Sequence, residues 1–239
     1  MTTNVIELGD IRINVIHKDI KHMHLSVHPP EGRITISAPY RMDLETIRLF
    51  SISKLGWIRK QQLRLRNQKR EAIREYISGE SHYYLGKRYL LKVLEQNSPP
   101  KVVLKQDRLE LYVRKDSSAR LKEAILQGWY RQQLQALVAS YVPKLESKIG
   151  ENVSEMRIKR MKTRWGTCNS RAKRIWLNSE LAKKPIECIE YVLIHEMVHL
   201  LVKGHGSKFQ AYMDSFLPKW KYVREELNRT ALGHVEWSC

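Results

Sequence analysis

Two histidines separated by one helical turn lie in the most apolar stretch of this chain, and a glutamate follows the first of them. The motif is His195-Glu196-Met-Val-His199, within the apolar segment Tyr191–Val202. Residues four apart lie on one face of a helix, so His195 and His199 can bind one metal ion together. The segment is therefore constrained to fold as a mostly buried helix with a polar, metal-binding face.

The apolar flanks of this motif argue against a chance arrangement on a surface helix. Tyr191–Ile194 precede the motif and Leu200–Val202 follow it. Burying Glu196 between two imidazoles without a compensating ion costs several kcal/mol, on the order of the transfer penalty of an unpaired polar group. A bound metal ion removes that penalty, and we therefore expect one.

A third ligand is expected shortly after the helix. His205 lies between two glycines, which allow the chain to leave the helix and fold back. The carboxylates of Glu225 and Glu226 are alternatives, one short helix further on. Three protein ligands leave the fourth position open to water, which is typical of catalytic zinc. Glu196 is then placed to act as a general base on that water.

The charge of the chain is strongly positive. There are 43 Lys and Arg residues against 25 Asp and Glu, a formal net charge of +18 with a sequence pI near 9.9. Such an excess favours nucleic acid or another polyanion as a partner, although a basic surface without a dedicated site would have the same composition. Two segments carry much of it: Arg59, Lys60, Arg64, Arg66, Lys69, Arg70 and Arg74 in the first, and Arg157, Lys159, Arg160, Lys162, Arg164, Arg171, Lys173 and Arg174 in the second.

The first basic segment is better explained as the solvated face of a helix, as most charge runs are, and a polyanion-binding face is the alternative. The second segment contains Trp165, and basic residues with an interleaved aromatic can follow a nucleic-acid backbone and stack on a base. The same residues would equally suit the approach of an acidic substrate.

The cellular compartment is indicated by what the sequence lacks. Its three cysteines, Cys168, Cys188 and Cys239, give no disulfide framework. The first ten residues do not resemble a signal peptide. The segment Tyr191–Val202 is too short to span a bilayer. We therefore expect a soluble, cytoplasmic protein with no membrane partner.

Periodicity predicts an α+β chain with a β-rich N-terminal region at 1–116, which includes a basic helix, and a catalytic domain at 117–239. The predicted elements are strands within 4–39, a helix from Leu44 capped by Asp43, a helix from Ser53 to Tyr76, and strands within 82–114. They continue with a long helix from Ser117-Ser118 to Gly150, strands at 156–159 and 174–178, the motif helix from Pro185, and helix at 207–228.

Three smaller expectations concern single positions. A turn is predicted at Pro29-Pro30-Glu31-Gly32, between two strands. The inner face of the long helix includes Leu121, Trp129 and Leu134, and Phe209 faces inward on the last helical segment. Cys168 has no second cysteine nearby and is expected to be a packed thiol, with contact to the metal as the alternative.

Several separate motifs resemble one family. They are Arg160–Cys168 (R-M-K-T-R-W-G-T-C), Ile175–Asn178 (I-W-L-N), Ile189–His205, Tyr84–Tyr89 and Trp129–Arg131. In this order they resemble the YgjP-like metallopeptidases, which are related to the SprT-like and gluzincin-type zinc peptidases. The chain departs from the family pattern in having Thr167 for Ser, Trp176 for Asn and an inserted Gly206.

The resemblance implies a zincin-like core, in which a small sheet packs on the HExxH helix. It implies Zn²⁺ held by His195, His199 and His205, with Glu196 as the catalytic base. The strand 174–178 would be the sheet edge above that helix, where an extended peptide can add as a strand. Candidate substrate-binding residues near that edge are Arg164, Trp165, Trp176 and Asn178.

The expected function is thus zinc-dependent hydrolysis of peptide bonds in a protein or peptide substrate. SprT-like relatives act on proteins bound or crosslinked to DNA, and by analogy such substrates would suit the +18 charge. The alternative is a nucleic-acid-binding protein whose zinc site is structural or vestigial. The sequence alone leaves both open.

Overall fold

The computed structural model describes residues 3–28, 31–67, 74–161 and 164–229, which fold into two compact units. The first unit comprises the described residues up to 67, and the second unit those from 74 onward. The predicted boundary at 116/117 lies inside the second unit, so the extent of the catalytic domain stays a prediction. The mixture of helices and small sheets confirms the α+β class.

The first unit is a four-stranded sheet covered by two helices. Its elements are β1 (Thr3–Leu8), β2 (Ile11–Lys18), β3 (His24–His28), β4 (Arg33–Pro39), α1 (Leu44–Ser53) and α2 (Leu55–Asn67). Alternate strand residues, among them Ile13 and Ile36, bury one sheet face against Ile47 and Ile58 of the helices. As predicted, Asp43 caps α1, accepting a 2.7 Å hydrogen bond from the Thr46 N–H.

The helix predicted to run to Tyr76 is shorter in the structure. Residues 68–73, with Lys69 and Arg70, lie outside the described residues, and Arg74–Ile77 are not helical. The predicted turn at Pro29-Pro30 also lies outside them. Of the described residues of the basic run, those from Arg59 to Arg66 lie on α2, and Arg74 lies in an irregular segment.

The second unit contains the motif helix and most of the core. Its elements are β5 (Ser81–Tyr84), β6 (Lys87–Glu95), β7 (Lys101–Leu104), β8 (Arg108–Val113), α3 (Ala119–Ile149), β9 (Glu155–Lys159), β10 (Gly166–Asn169), β11 (Arg174–Asn178), a 3-10 turn (Ser179–Lys183), α4 (Ile186–Leu201), α5 (Ser207–Phe216) and α6 (Trp220–Arg229). None of the helices in the described part of the chain is long and apolar enough to cross a bilayer.

The sheet β5–β8 repeats the topology of the first sheet. Each has the order 1-2-4-3, with antiparallel outer pairs and a parallel central pair. Leu85 and Gly86 close the β5–β6 hairpin with φ of 47° and 79°, the signs of a type I′ turn. Their N–H groups donate to the carbonyls of Ala182 and Lys183, which joins the hairpin to the 3-10 turn.

Helix α3 forms the long wall of the second unit. Ser118 caps it and Gly150 ends it in the left-handed conformation, both as predicted. Trp129 and Leu134 are buried as predicted. Leu121 was predicted to face inward but is 47% exposed, and the first buried residue of the helix is Leu126.

The sheet that covers α4 has one strand more than predicted, and this changes its edge. The order is β10-β11-β9, with β10 antiparallel and β9 parallel to the central strand. Both sides of β11 are thus occupied, so the expectation that 174–178 forms a free edge is wrong. The edge strand that packs on α4 is β10. Similarly, the segment 207–228 is two helices, since Pro218 lies at the break between α5 and α6.

Candidate metal centre

His195 and His199 lie on one face of α4, as their spacing predicts. Their ring centroids are 5.0 Å apart. Nδ1 of His199 is 3.3 Å from the carbonyl of Val202, which can only accept, so this nitrogen donates its proton. The lone pair of His199 is therefore on Nε2, the nitrogen that remains free to bind a metal.

His205 folds back over α4 and completes a group of three imidazoles. Its Nε2 is 3.1 Å from Nε2 of His195, and one nitrogen from each of the three rings lies within 4.8 Å of the others. Tetrahedral zinc with bonds of about 2.0–2.1 Å requires ligand nitrogens roughly 3.3 Å apart. Glu226 instead pairs with Arg229 at 2.9 Å, and neither it nor Glu225 belongs to the group.

Phe209 packs against all three imidazoles. Its centroid lies 4.9, 4.9 and 4.8 Å from those of His195, His199 and His205, and the ring is 2% exposed. This residue on α5 excludes water from one side of the histidine group and limits the rotation of each histidine. The sequence marked Phe209 only as inward-facing, because its position under the metal face depends on how α5 packs against α4.

Burial keeps His195 and His199 neutral. It lowers the pKa of His195 to about 4, with smaller contributions from His199, His205 and Arg224. Burial also lowers the pKa of His199. Neutral imidazoles with available lone pairs are the form that binds a divalent metal. The donor set and its spacing therefore fit zinc.

Glu196 is almost entirely buried and lies directly beneath β10. It is 6% exposed, and burial raises its pKa to about 7, while the charge of Arg164 acts in the opposite direction. A Cβ at Gly166 would lie 2.7 Å from both Cγ and Oε1 of Glu196. The strand can therefore pass over the carboxylate only because residue 166 has no side chain, a constraint that follows from the structure and not from the spacing.

Cys168 lies on the same face of β10 as Gly166 and is a packed thiol, as the sequence predicted. It is half-buried, and burial together with the charge of Glu196 raises its pKa to about 11. The thiol is therefore protonated at neutral pH and a poor metal ligand. It is not part of the histidine group.

Asn178 is fully buried and binds the loop that precedes β10. Its Nδ2 donates to the carbonyls of Met161 and Arg164, both at 2.8 Å. Its Oδ1 accepts from the N–H groups of Met161 and Glu180, both at 3.2 Å. The hydrogen-bonding groups of this amide are thus all engaged within the protein. Contact between Asn178 and a substrate remains a prediction, and this geometry does not favour it.

The other predicted substrate-binding residues lie in three different environments. Arg164 is exposed and within electrostatic reach of Glu196. Trp165 is half-buried against the core, with Lys184 Nζ 5.5 Å from its ring centroid. Trp176 lies on the sheet face away from Gly166, since its register partner is Thr167, and Lys159 Nζ is 4.6 Å from its ring. Of these three, only Arg164 is placed beside the metal centre.

A buried helix with two histidines and a glutamate, a third histidine folding back and a small sheet above them define the class of the metallopeptidases. The family model described as YgjP-like, metallopeptidase domain matches residues 21–230. The chain therefore belongs to the YgjP-like metallopeptidase family, and the protein is a metallopeptidase-type hydrolase.

Two solved metallopeptidase structures are similar to part of the chain. The zymogen of Pyrococcus abyssi abylysin is 21% identical, with a TM-score of 0.36, and the match covers 40% of this chain and 99% of that one. The zymogen of Methanocaldococcus jannaschii jannalysin is 20% identical, with a TM-score of 0.33, and the match covers 39% and 92%. No curated protein matches the sequence.

Proposed function

We propose that the protein is a zinc-dependent peptidase in which His195, His199 and His205 bind the ion and Glu196 acts as the general base. The observation that supports this most directly is the convergence of three imidazoles beside a buried carboxylate. Three nitrogen ligands leave one position for water or substrate, as in catalytic zinc sites. When bound, zinc polarises a carbonyl and makes water more acidic.

Glu196 would move the proton in this reaction. A general base is most effective when its pKa lies near the working pH, and burial raises that of Glu196 to about 7. Its Oε atoms would take the proton from the attacking water and deliver it to the departing peptide nitrogen. Gly166 supports this role because it lets β10 cover the carboxylate and keep solvent from its inner side.

The substrate would bind along the open edge of β10. This strand has one neighbour, β11, so its other edge can accept an extended peptide. A peptide bound there would lie beside Gly166 and hence beside Glu196. Arg164, exposed at the start of this strand, would bind a carbonyl or acidic group of the peptide.

The ligand set is tested by zinc content. We expect about one zinc per chain in the wild type and a large loss in His205→Ala, since catalytic zinc sites keep three protein ligands. His22→Ala is the matched control, because His22 is an exposed histidine in the first unit. Equal zinc content in His205→Ala and wild type would contradict the proposed third ligand.

We further propose that the substrates include proteins associated with DNA, for which the +18 charge is the support. Cleavage of a DNA-binding protein should then rise when single-stranded DNA is added at low salt. A protein that binds zinc and DNA but cleaves nothing under either condition would instead be a nucleic-acid-binding protein with a structural or vestigial site.

A further inference from the structure

A groove of about 460 Å³ lies between α3 and the end of β9, in the second unit. Its lining includes Arg120, Arg131, Lys159, Arg160, Glu123 and Ser179. Sites for small ligands are typically roughly 300–1,000 Å³, so the volume is in the range of a ligand site. Neither the histidines nor Glu196 line it.

The groove is strongly electropositive. Four cationic side chains and one carboxylate line it, a surplus of three positive charges. Glu123 is engaged by Arg160 at 2.9 Å. Arg120 and Arg131 are exposed, and Lys159 Nζ lies over the Trp176 ring. Guanidinium groups present planar, paired donors that match the oxygens of phosphate.

The shape of the groove suits an elongated ligand. Arg120 and Arg131 are eleven residues apart on α3, a rise of roughly 16 Å at 1.5 Å per residue. The helix face between them carries the small residues Ala124 and Gly128, which leave the floor of the groove open. One phosphate would bridge both arginines only if their side chains extended fully toward each other, so the charges better match a ligand with several phosphates.

Ser179 supplies a buried donor that needs a partner. The residue is 3% exposed, and its Oγ has no hydrogen-bond partner among the described residues. A buried hydroxyl without a partner is unfavourable. Rotation about χ1 would turn the Oγ toward the groove that this residue lines, where a ligand oxygen would satisfy it. The groove that Ser179 lines is separate from the metal centre, since neither the three histidines nor Glu196 belong to its lining.

We propose that this groove binds the phosphate groups of a ligand that carries several of them, either a nucleotide polyphosphate or the backbone of a nucleic acid. Arg120 and Arg131 bind phosphates at the two ends, and Lys159 with the Ser179 hydroxyl binds between them. The proposal is independent of the peptidase activity, because it uses none of the residues proposed for catalysis.

The test is calorimetric titration of the zinc-loaded protein at low salt with linear tripolyphosphate and, separately, with a single-stranded oligonucleotide. Removing one charged hydrogen-bonding group should weaken binding roughly tenfold or more in Arg131→Gln, and removing the hydroxyl about fivefold in Ser179→Ala. Arg114→Gln is the matched control, since Arg114 is an exposed arginine outside the groove. Thermal unfolding verifies that each variant is folded.

Binding that falls in Arg131→Gln and Ser179→Ala but not in Arg114→Gln supports the proposal. Dependence of only the tripolyphosphate arm identifies a free polyphosphate, and dependence of the oligonucleotide arm identifies a nucleic-acid backbone. No binding by the wild type, equal weakening in Arg131→Gln and Arg114→Gln, or binding that none of the three variants changes would overturn it. If none of the three variants changed binding, the phosphate would bind at another place in the protein, such as the metal.

Discussion

At the scale of single residues, the spacing of residues in the sequence predicts the metal ligands but not the residues that pack against the site. His195, Glu196 and His199 are recognisable because a helix has a fixed period, and His205 because glycines flank it. Phe209 and Gly166 contact the same group, yet they come from elements whose packing on α4 no local pattern specifies. Sequence thus identifies groups with distinctive chemistry and misses those that act by shape.

Gly166→Ala should reduce cleavage while zinc remains bound. The added Cβ would lie 2.7 Å from Cγ and Oε1 of Glu196, so the carboxylate or the strand must move. A displaced base should lower kcat by about 10²-fold or more. Steady-state cleavage and zinc content measure the two effects separately.

Gly56→Ala is the control for this substitution, because nothing lies within 4 Å of a Cβ placed there on α2. It should leave cleavage unchanged and keep or slightly raise stability. Full activity in Gly166→Ala would show that the close approach to Glu196 has no catalytic consequence.

His82 on β5 gives a stability effect with a defined pH window. Burial lowers its pKa to about 4, and the charges of Arg74 and Lys183 act in the same direction. The charge of Glu80 acts in the opposite direction. The folded pKa lies below the ordinary value of 6.5, so the unfolded chain binds the proton first. This residue therefore has no effect above pH 6.5 and destabilises the fold as the pH falls toward 4.

His82→Gln should remove this part of the acid sensitivity. When the pH falls from 7 to 5, one such group lowers the free energy of unfolding by up to about 2 kcal/mol. Urea unfolding of both proteins at the two pH values measures it. An equal decrease in both would mean that His82 does not remain neutral in the folded protein.

At the scale of elements, segments with strong periodicity were predicted correctly from the sequence, whereas short strands were not. The long helix α3, its caps and most of the strands were predicted, because the patterns span many residues. Strand β10, Gly-Thr-Cys-Asn, has no alternation to mark it, and missing it made β11 appear to be an edge. The break between α5 and α6 was missed, although Pro218 marks it.

The loop before β10 depends on Asn178, and Asn178→Ala tests this. The substitution leaves backbone groups of Met161, Arg164 and Glu180 without their partner. We expect a loss of about 2–4 kcal/mol in the free energy of unfolding. Activity should also fall with zinc retained, since Arg164 loses its anchor.

Asn169→Ala is the matched control for that experiment. Asn169 is exposed and accepts one hydrogen bond, from the Ala172 N–H at 3.1 Å. It should lose less than about 1 kcal/mol. Similar losses in the two variants would contradict a special role for the buried amide.

At the scale of the whole molecule, the two compact units were not apparent from composition. Each unit contains one four-stranded sheet of the same topology, formed by strands with different residues. Only the second unit holds the three histidines. The strongly positive charge is a property of the chain that the fold does not explain.

Removal of zinc should therefore destabilise one unit selectively. A ligand present at roughly a thousandfold excess over its Kd stabilises the folded state by about 4 kcal/mol. Scanning calorimetry with and without a chelator should show one transition moving to lower temperature and another unchanged. If all transitions shifted equally, the two units would not unfold independently. If no transition shifted, the idea that zinc stabilises the second unit would be wrong.

The most direct test of the central claim is a comparison of wild type with Glu196→Gln, measuring bound zinc and cleavage of an unfolded protein. The peptidase account predicts about one zinc per chain in both proteins and a loss of cleavage in the variant of about 10²–10⁴-fold, because only the base is removed. Cleavage by Glu196→Gln at the wild-type rate, or a zinc-loaded wild type that cleaves nothing, would contradict it.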